Sequence, residues 1–140
     1  MVHALREAHR VLKPGGLLVD LRPAAVHRRV GIERAGRYQA MGVMREKFDD
    51  DRAANRAVAQ VLQEGLFKTE WRTQFECARR MDTLAELRAW IDEFVALADL
   101  PPHAWLIRRV EQAFRARGGQ RRIVVSGPLT LKVLRKPARE

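Results

Sequence analysis

The chain has one cysteine, Cys77, in 140 residues, so no internal disulfide can form and stability must come from packing. That suits a reducing compartment, and a cytoplasmic location is the expectation. No run nears the roughly 18 apolar residues that a membrane span needs. No secretory leader is visible either: His3, Arg6, Glu7, His9 and Arg10 break up the first ten residues. Acidic residues are scarce beside basic ones, 17 against 27, for a net charge of +10. Yet no block of five or six like charges occurs. The basic residues fall as scattered pairs: Arg28-Arg29, Arg79-Arg80, Arg108-Arg109, Arg121-Arg122 and Arg135-Lys136. This reads as a solvated arginine-rich surface. Any nucleic-acid binding is expected to be weak, non-specific and salt-sensitive. Internal repeats and low-complexity segments are lacking, and the length suits a single domain over residues 1–140.

What is present is a regular succession of elements. Ala4, Leu5, Ala8, Val11 and Leu12 share one helical face, and Pro14 with Gly15-Gly16 ends that helix. Met1 stands where a capping Ser, Thr or Asp is usual, so the chain is expected to start inside an element, as a truncated protein would. Leu17 to Leu21 is an apolar run without alternation, the pattern of a strand buried on both faces. Val30–Glu33 and Arg37–Gly42 can pair as a small hairpin around Ala35-Gly36. Asp49-Asp50-Asp51 opens a second helix with Ala54, Ala57, Val58, Val61 and Leu62 inward, closed by Gly65. Phe67, Trp71, Phe75 and Cys77 then alternate with polar residues, which predicts a long strand with one buried face and a buried, inert thiol.

Thr83 and Glu86 form a capping box for a third helix, whose face is Leu84, Leu87, Ile91, Phe94, Val95 and Ala98 and which Pro101-Pro102 breaks. A fourth helix turns Leu106, Val110, Ala113 and Phe114 inward and ends at Gly118-Gly119. Ile123–Val125 and Leu129–Val133 make a last strand or hairpin kinked at Gly127-Pro128. The fold class is α/β: about three main strands, about four helices and the added hairpin.

Chemical constellations are sparse. His3 and His9 lie six apart without metal-ligand spacing, and no Ser/His/Asp order or nucleophile elbow occurs. Asp49 to Asp51 are explained by helix-start electrostatics, since adjacent carboxylates point different ways. No catalytic, metal or cofactor-binding residue can be named. One candidate remains: Asp20, Arg22, His27 and Arg28 stand at or just beyond the carboxyl end of the first strand, where open α/β sheets place ligands.

The run Arg10-Val11-Leu12-Lys13-Pro14-Gly15-Gly16, with Leu5 before it and Leu17 to Leu21 after it, resembles the helix and fifth strand of class I S-adenosylmethionine-dependent methyltransferases. The resemblance implies that Leu66–Met81 and Arg121–Arg135 correspond to strands six and seven, with seven antiparallel between five and six. It implies S-adenosylmethionine as the cofactor of an intact parent. The family's glycine-rich turn and acidic residues precede this motif, so the chain alone is expected to bind no cofactor and to be inactive. Gly15-Gly16 ends a helix and leads into a strand, the reverse of a cofactor-cradling turn. Asp20, Arg22, His27 and Arg28 would then line an acceptor-side crevice. With strand four missing, Leu17–Leu21 becomes a sheet edge, and the expected partner is a second copy (a dimer) or the missing N-terminal half. Two other readings stay open: a non-enzymatic interaction module that uses this edge, and a weak nucleic-acid binder.

Overall fold

A computed structural model describes residues 1–98, 103–116 and 119–138. The expectations for Pro101-Pro102 and Gly118, and for the side chains of Val95 and Ala98, lie outside the described residues. The elements are α1 (Val2–Val11), β1 (Leu17–Pro23), β2 (Arg28–Arg34), β3 (Arg37–Met44), α2 (Asp49–Gln63), β4 (Lys68–Met81), α3 (Leu84–Ala98), α4 (Ala104–Arg115) and β5 (Arg121–Arg135). The protein is thus α/β, with four helices and a five-stranded antiparallel sheet among the described residues. The hairpin accounts for the extra strands: β2 and β3 are full members, and β2 pairs with β5. The chain divides into two compact units.

The first unit holds residues 1–25, 48–75 and 128–140. Here β1 pairs antiparallel with β5 from Leu17↔Arg135 to Pro23↔Leu129. Leu5 of α1, Ala57, Val58 and Val61 of α2, Phe67 and Leu134 form its core. The α2 stripe is as its periodicity predicts. On α1 the buried stripe is narrower than predicted: Leu5 is buried, Val2 and Leu12 pack beside it, and Val11 is exposed.

The Lys-Pro-Gly-Gly stop is closed by the far end of the chain. Gly15 turns at φ 78°, and its N–H donates to Lys136 O at 2.9 Å, while Lys136 N–H returns a bond to Gly16 O at 2.9 Å. The Lys136 ammonium donates to the carbonyls of His9 and Leu12 at 2.6 and 2.8 Å, satisfying the negative end of α1.

Two expectations about burial are corrected here. β1 is not covered on both faces: Leu18 points to the core, but Leu17, Val19 and Leu21 are exposed. Trp71 and Phe75 on β4 are exposed too. Their alternation marks a face that would take cover, and alternation alone cannot say that the cover lies in the same chain.

The second unit holds residues 26–47 and 76–127. Its core gathers Val30 and Ile32 of β2, Met41 and Met44 of β3, Met81 of β4, Leu87 and Ile91 of α3, Leu106 and Val110 of α4, and Ile123 and Val125 of β5. Cys77 also belongs to this unit and is exposed, not buried as the pattern predicts. The Thr83 cap forms, with Glu86 N–H donating to Thr83 Oγ1 at 3.1 Å, while the Glu86 carboxylate accepts from the N–H of Asp82, one residue before the cap, at 3.1 Å instead of from Thr83 itself.

The β2–β3 hairpin closes through two residues, with Arg34 opposite Arg37. Ala35 and Gly36 both have positive φ, 47° and 73°, as a type I′ turn demands. A Cβ at Ala35 makes that conformation costly. Ala35→Asn, which tolerates it, is expected to raise stability by about 0.5–1 kcal/mol, read as a higher denaturation midpoint with unchanged slope. A loss of stability would contradict the turn assignment.

A second prediction concerns acid. The Arg135 guanidinium grips Glu70 with both oxygens at 2.6 and 2.7 Å. That hydrogen bonding holds the Glu70 carboxyl below its ordinary value of 4.5. A depressed carboxylate contributes stability above its unfolded value, and the contribution is lost as pH falls through the folded value. Glu70→Gln is therefore expected to flatten the acid limb of a stability–pH profile below about pH 4.5. An unaltered acid limb would show that the pair contributes nothing.

Candidate functional site

The strand parity of β1 decides what happens to the first two candidate residues. Asp20 and Arg22 are two apart and share the half-buried side of the strand. Arg22 donates from Nε to Asp20 Oδ1 at 2.6 Å and from Nη2 to Oδ2 at 2.8 Å. The same Nη2 reaches Asn55 Oδ1 of α2 at 3.2 Å. The side chains are 21% and 11% exposed, so this pair is screened from water far more than the surface ion pairs. The Asp20 carboxylate raises the Arg22 guanidinium above its ordinary value, despite the opposing effect of burial.

A small cavity of about 210 Å³ opens beside the pair, lined by Asp20, Arg22, Asn55, Thr130 and Lys132 together with the turn Pro23–Ala25. Across the ladder, Lys132 faces Asp20 and Thr130 faces Arg22. One carboxylate therefore meets two cations. Lys132 has no carboxylate of its own among the described residues, so the cavity suits a small polar or anionic group better than a cation. It offers hydrogen-bond donors and one amide. It does not offer an activated nucleophile or a free general base, because Asp20 is already bound on both oxygens.

His27 and Arg28 belong to the second unit. The His27 ring accepts at Nδ1 from the Glu46 N–H at 3.0 Å, which places any ring proton of the neutral form on Nε2. The Arg28 N–H donates to the Glu46 carboxylate at 2.9 Å, and the guanidinium stands 3.6 Å from it. The Arg28 guanidinium also lies over Phe94 at 4.5 Å and Trp90 at 6.0 Å, rings that stack on each other. These contacts tie down the entry to β2. The structure thus brings Asp20 and Arg22 together and gives His27 and Arg28 structural partners of their own.

Asn55, Thr130 and Lys132 were not legible as site residues. Thr130 and Lys132 are more than a hundred positions from Arg22 and Asp20, and only the β1–β5 register places them opposite. Asn55 carried no usable signal, because it is an exposed polar residue off the inward stripe of α2. Comparison with family models, curated proteins and solved structures finds no match to the chain.

The pair itself makes a testable claim. Arg22→Ala would leave the half-buried Asp20 without its hydrogen-bonded guanidinium, with only Lys132 across the ladder, and is expected to cost about 2 kcal/mol in denaturant unfolding. Asp20→Asn in that background should recover most of the loss, since it removes the orphaned charge. No recovery would mean that Arg22 acts through packing alone.

Proposed function

We propose that the chain is the acceptor-side half of a class I methyltransferase-type fold, inactive by itself, whose β1 surface receives a cofactor-binding half. The observation that carries this reading is the state of β1. Its sequence is that of an interior strand, yet it pairs with β5 alone among the described residues. Leu17, Val19 and Leu21 are 47%, 61% and 53% exposed, with Val133 and Leu131 opposite Val19 and Leu21. An apolar ladder of this kind beside an open edge marks a surface that expects cover. A further strand beside β1, with the helix that follows it, would satisfy both the edge and the face.

The neighbour order supports the same reading. β5 lies next to β1 and β4, with β2 as a further neighbour of its first half. The order β1-β5-β4 is the five-seven-six order implied by the resemblance carried by Arg10 to Leu21. S-adenosylmethionine would be held by the other half, and the methyl acceptor would approach the Asp20–Arg22 cavity. In the absence of that half, the β1 edge is expected to pair with a second copy.

Two measurements test the proposal together. Calorimetry with S-adenosylmethionine on this chain should give no micromolar binding, because the residues that hold the cofactor are assigned elsewhere. Sedimentation equilibrium at micromolar concentration should show a dimer that Val19→Lys weakens without changing the circular dichroism spectrum. A micromolar dissociation constant would overturn the half-fold assignment. A clean monomer would overturn the role given to β1. Sustained dimerisation by the Val19→Lys variant would move the interface to another surface.

A further inference from the structure

The second unit carries a groove that the proposed methyl-transfer role does not use. It has a volume of about 550 Å³ and is lined by Arg34, Arg80, Arg121, Arg122 and Glu33, with the Ala35-Gly36 turn and Gly119-Gln120 at its rim. Among the described lining residues, four guanidiniums thus face one carboxylate. Two of the four are balanced: Arg80 Nε donates to Glu33 at 3.0 Å, and Arg122 Nε donates to Asp82 at 3.0 Å. The other two have no carboxylate partner among the described residues. Arg34 Nη2 donates to the carbonyls of Ala113 and Ala116 at 3.2 and 3.5 Å, and Arg121 Nη1 donates to the same Ala116 carbonyl at 2.7 Å.

Two full positive charges therefore share one backbone oxygen at the end of α4. A helix C-terminus supplies about half of one negative charge, which leaves most of the pair's charge uncompensated. Two guanidiniums held this close repel each other unless something negative stands between them. Their positions are nonetheless fixed. Arg121 is stacked on the Phe114 ring at 4.6 Å, and Arg34 closes β2 opposite Arg37. Each uses one terminal nitrogen for these carbonyls, and a guanidinium has five N–H donors in a rigid fork.

We infer that this groove is a binding site for an oxyanion, the phosphate group of a small-molecule ligand, held between the forks of Arg34 and Arg121. Planar forks match phosphate oxygens two at a time, and such charge-assisted bonds are the strong ones. The volume lies in the range of small-ligand pockets, roughly 300–1,000 Å³. A nucleic-acid strand fits less well: it needs a charged track with free aromatic faces, and among the described residues the ring beside these forks, Phe114, is already taken by Arg121. The inference rests on the second unit alone and stands apart from the methyltransferase reading.

The test is a titration of the protein with inorganic pyrophosphate, followed through the arginine Nε–Hε resonances in nitrogen-15 spectra. The expected result is saturable shifts at Arg34 and Arg121, with a dissociation constant in the millimolar range or tighter. Arg121→Gln should weaken binding about tenfold or more, the loss of one charge-assisted contact. Arg121→Lys, which keeps the charge and loses the fork, should also weaken it. Arg72→Gln, on exposed β4, should leave it unchanged. The backbone amide spectrum of each variant verifies the fold. Unsaturating shifts spread over all arginines, or an Arg121→Gln variant that binds like the parent, would overturn the site. A single-stranded oligonucleotide that displaces pyrophosphate from Arg34 and Arg121 at lower phosphate concentration would overturn the small-molecule assignment.

Discussion

The backbone of β5 is the constraint on which the rest depends. β1, β2 and β4 all hydrogen-bond to it, and β3 joins through β2. One strand of 15 residues thus supplies both units. Ile123 and Val125 enter one core and Leu134 enters the other. The handover falls at Gly127-Pro128: pairing with β2 ends at Ser126, and pairing with β1 begins at Leu129. Proline has no N–H to give a ladder, so an interruption here costs no bond. Its carbonyl is still used, accepting from Ala24 N–H at 2.9 Å. Losing the order of β5 would therefore remove partners from both cores at once.

Charge is organised around the same framework. Part of the basic complement is held in pairs that staple neighbouring segments: Arg6 with Glu64, Arg29 with Glu76, Arg88 with Glu111 and Arg135 with Glu70. Individually such pairs contribute little, because water screens them. Their effect is to leave few carboxylates unassigned. Arg34 and Arg121 have no carboxylate partner among the described residues, and both donate to carbonyls at the end of α4. From composition the surplus looks like an evenly solvated surface. The folded chain separates balanced arginines from unbalanced ones.

Legibility followed the range of the interaction. The α2 stripe, the Thr83 cap and the hairpin at Ala35-Gly36 are local and were readable, because periodicity, caps and turns are set within a few residues. The pairing of Asp20 with Arg22 was half readable, since side chains two apart on a strand share a side. Lys132 and Thr130 were not, because register is a long-range property. The errors have one physical origin. Val11, Val19, Trp71 and Phe75 are apolar at correctly assigned helical or strand positions, yet they are exposed. An apolar pattern reports which face gains from burial and is silent about who supplies the cover. For Cys77 the same rule failed in the second unit, where β4 keeps only Met81 buried at its end.

The open edge of β1 is more exposed to pairing than its sequence suggests. Soluble sheets usually protect an edge with an outward charge, a proline or a bulge. β1 has two charged residues, Asp20 and Arg22, but they are bound to each other and turned toward Asn55. The neutralised pair no longer repels an incoming strand. The one proline, Pro23, stands at the strand's end and leaves the stretch from Leu17 to Arg22 free of any block. The opposite face presents Leu17, Val19 and Leu21 to solvent. Both the backbone and the side chains of this strand thus favour a partner, and its own two charges are drawn inward to line the cavity. The ion pair that shapes the cavity thus also takes two charges away from the edge of β1.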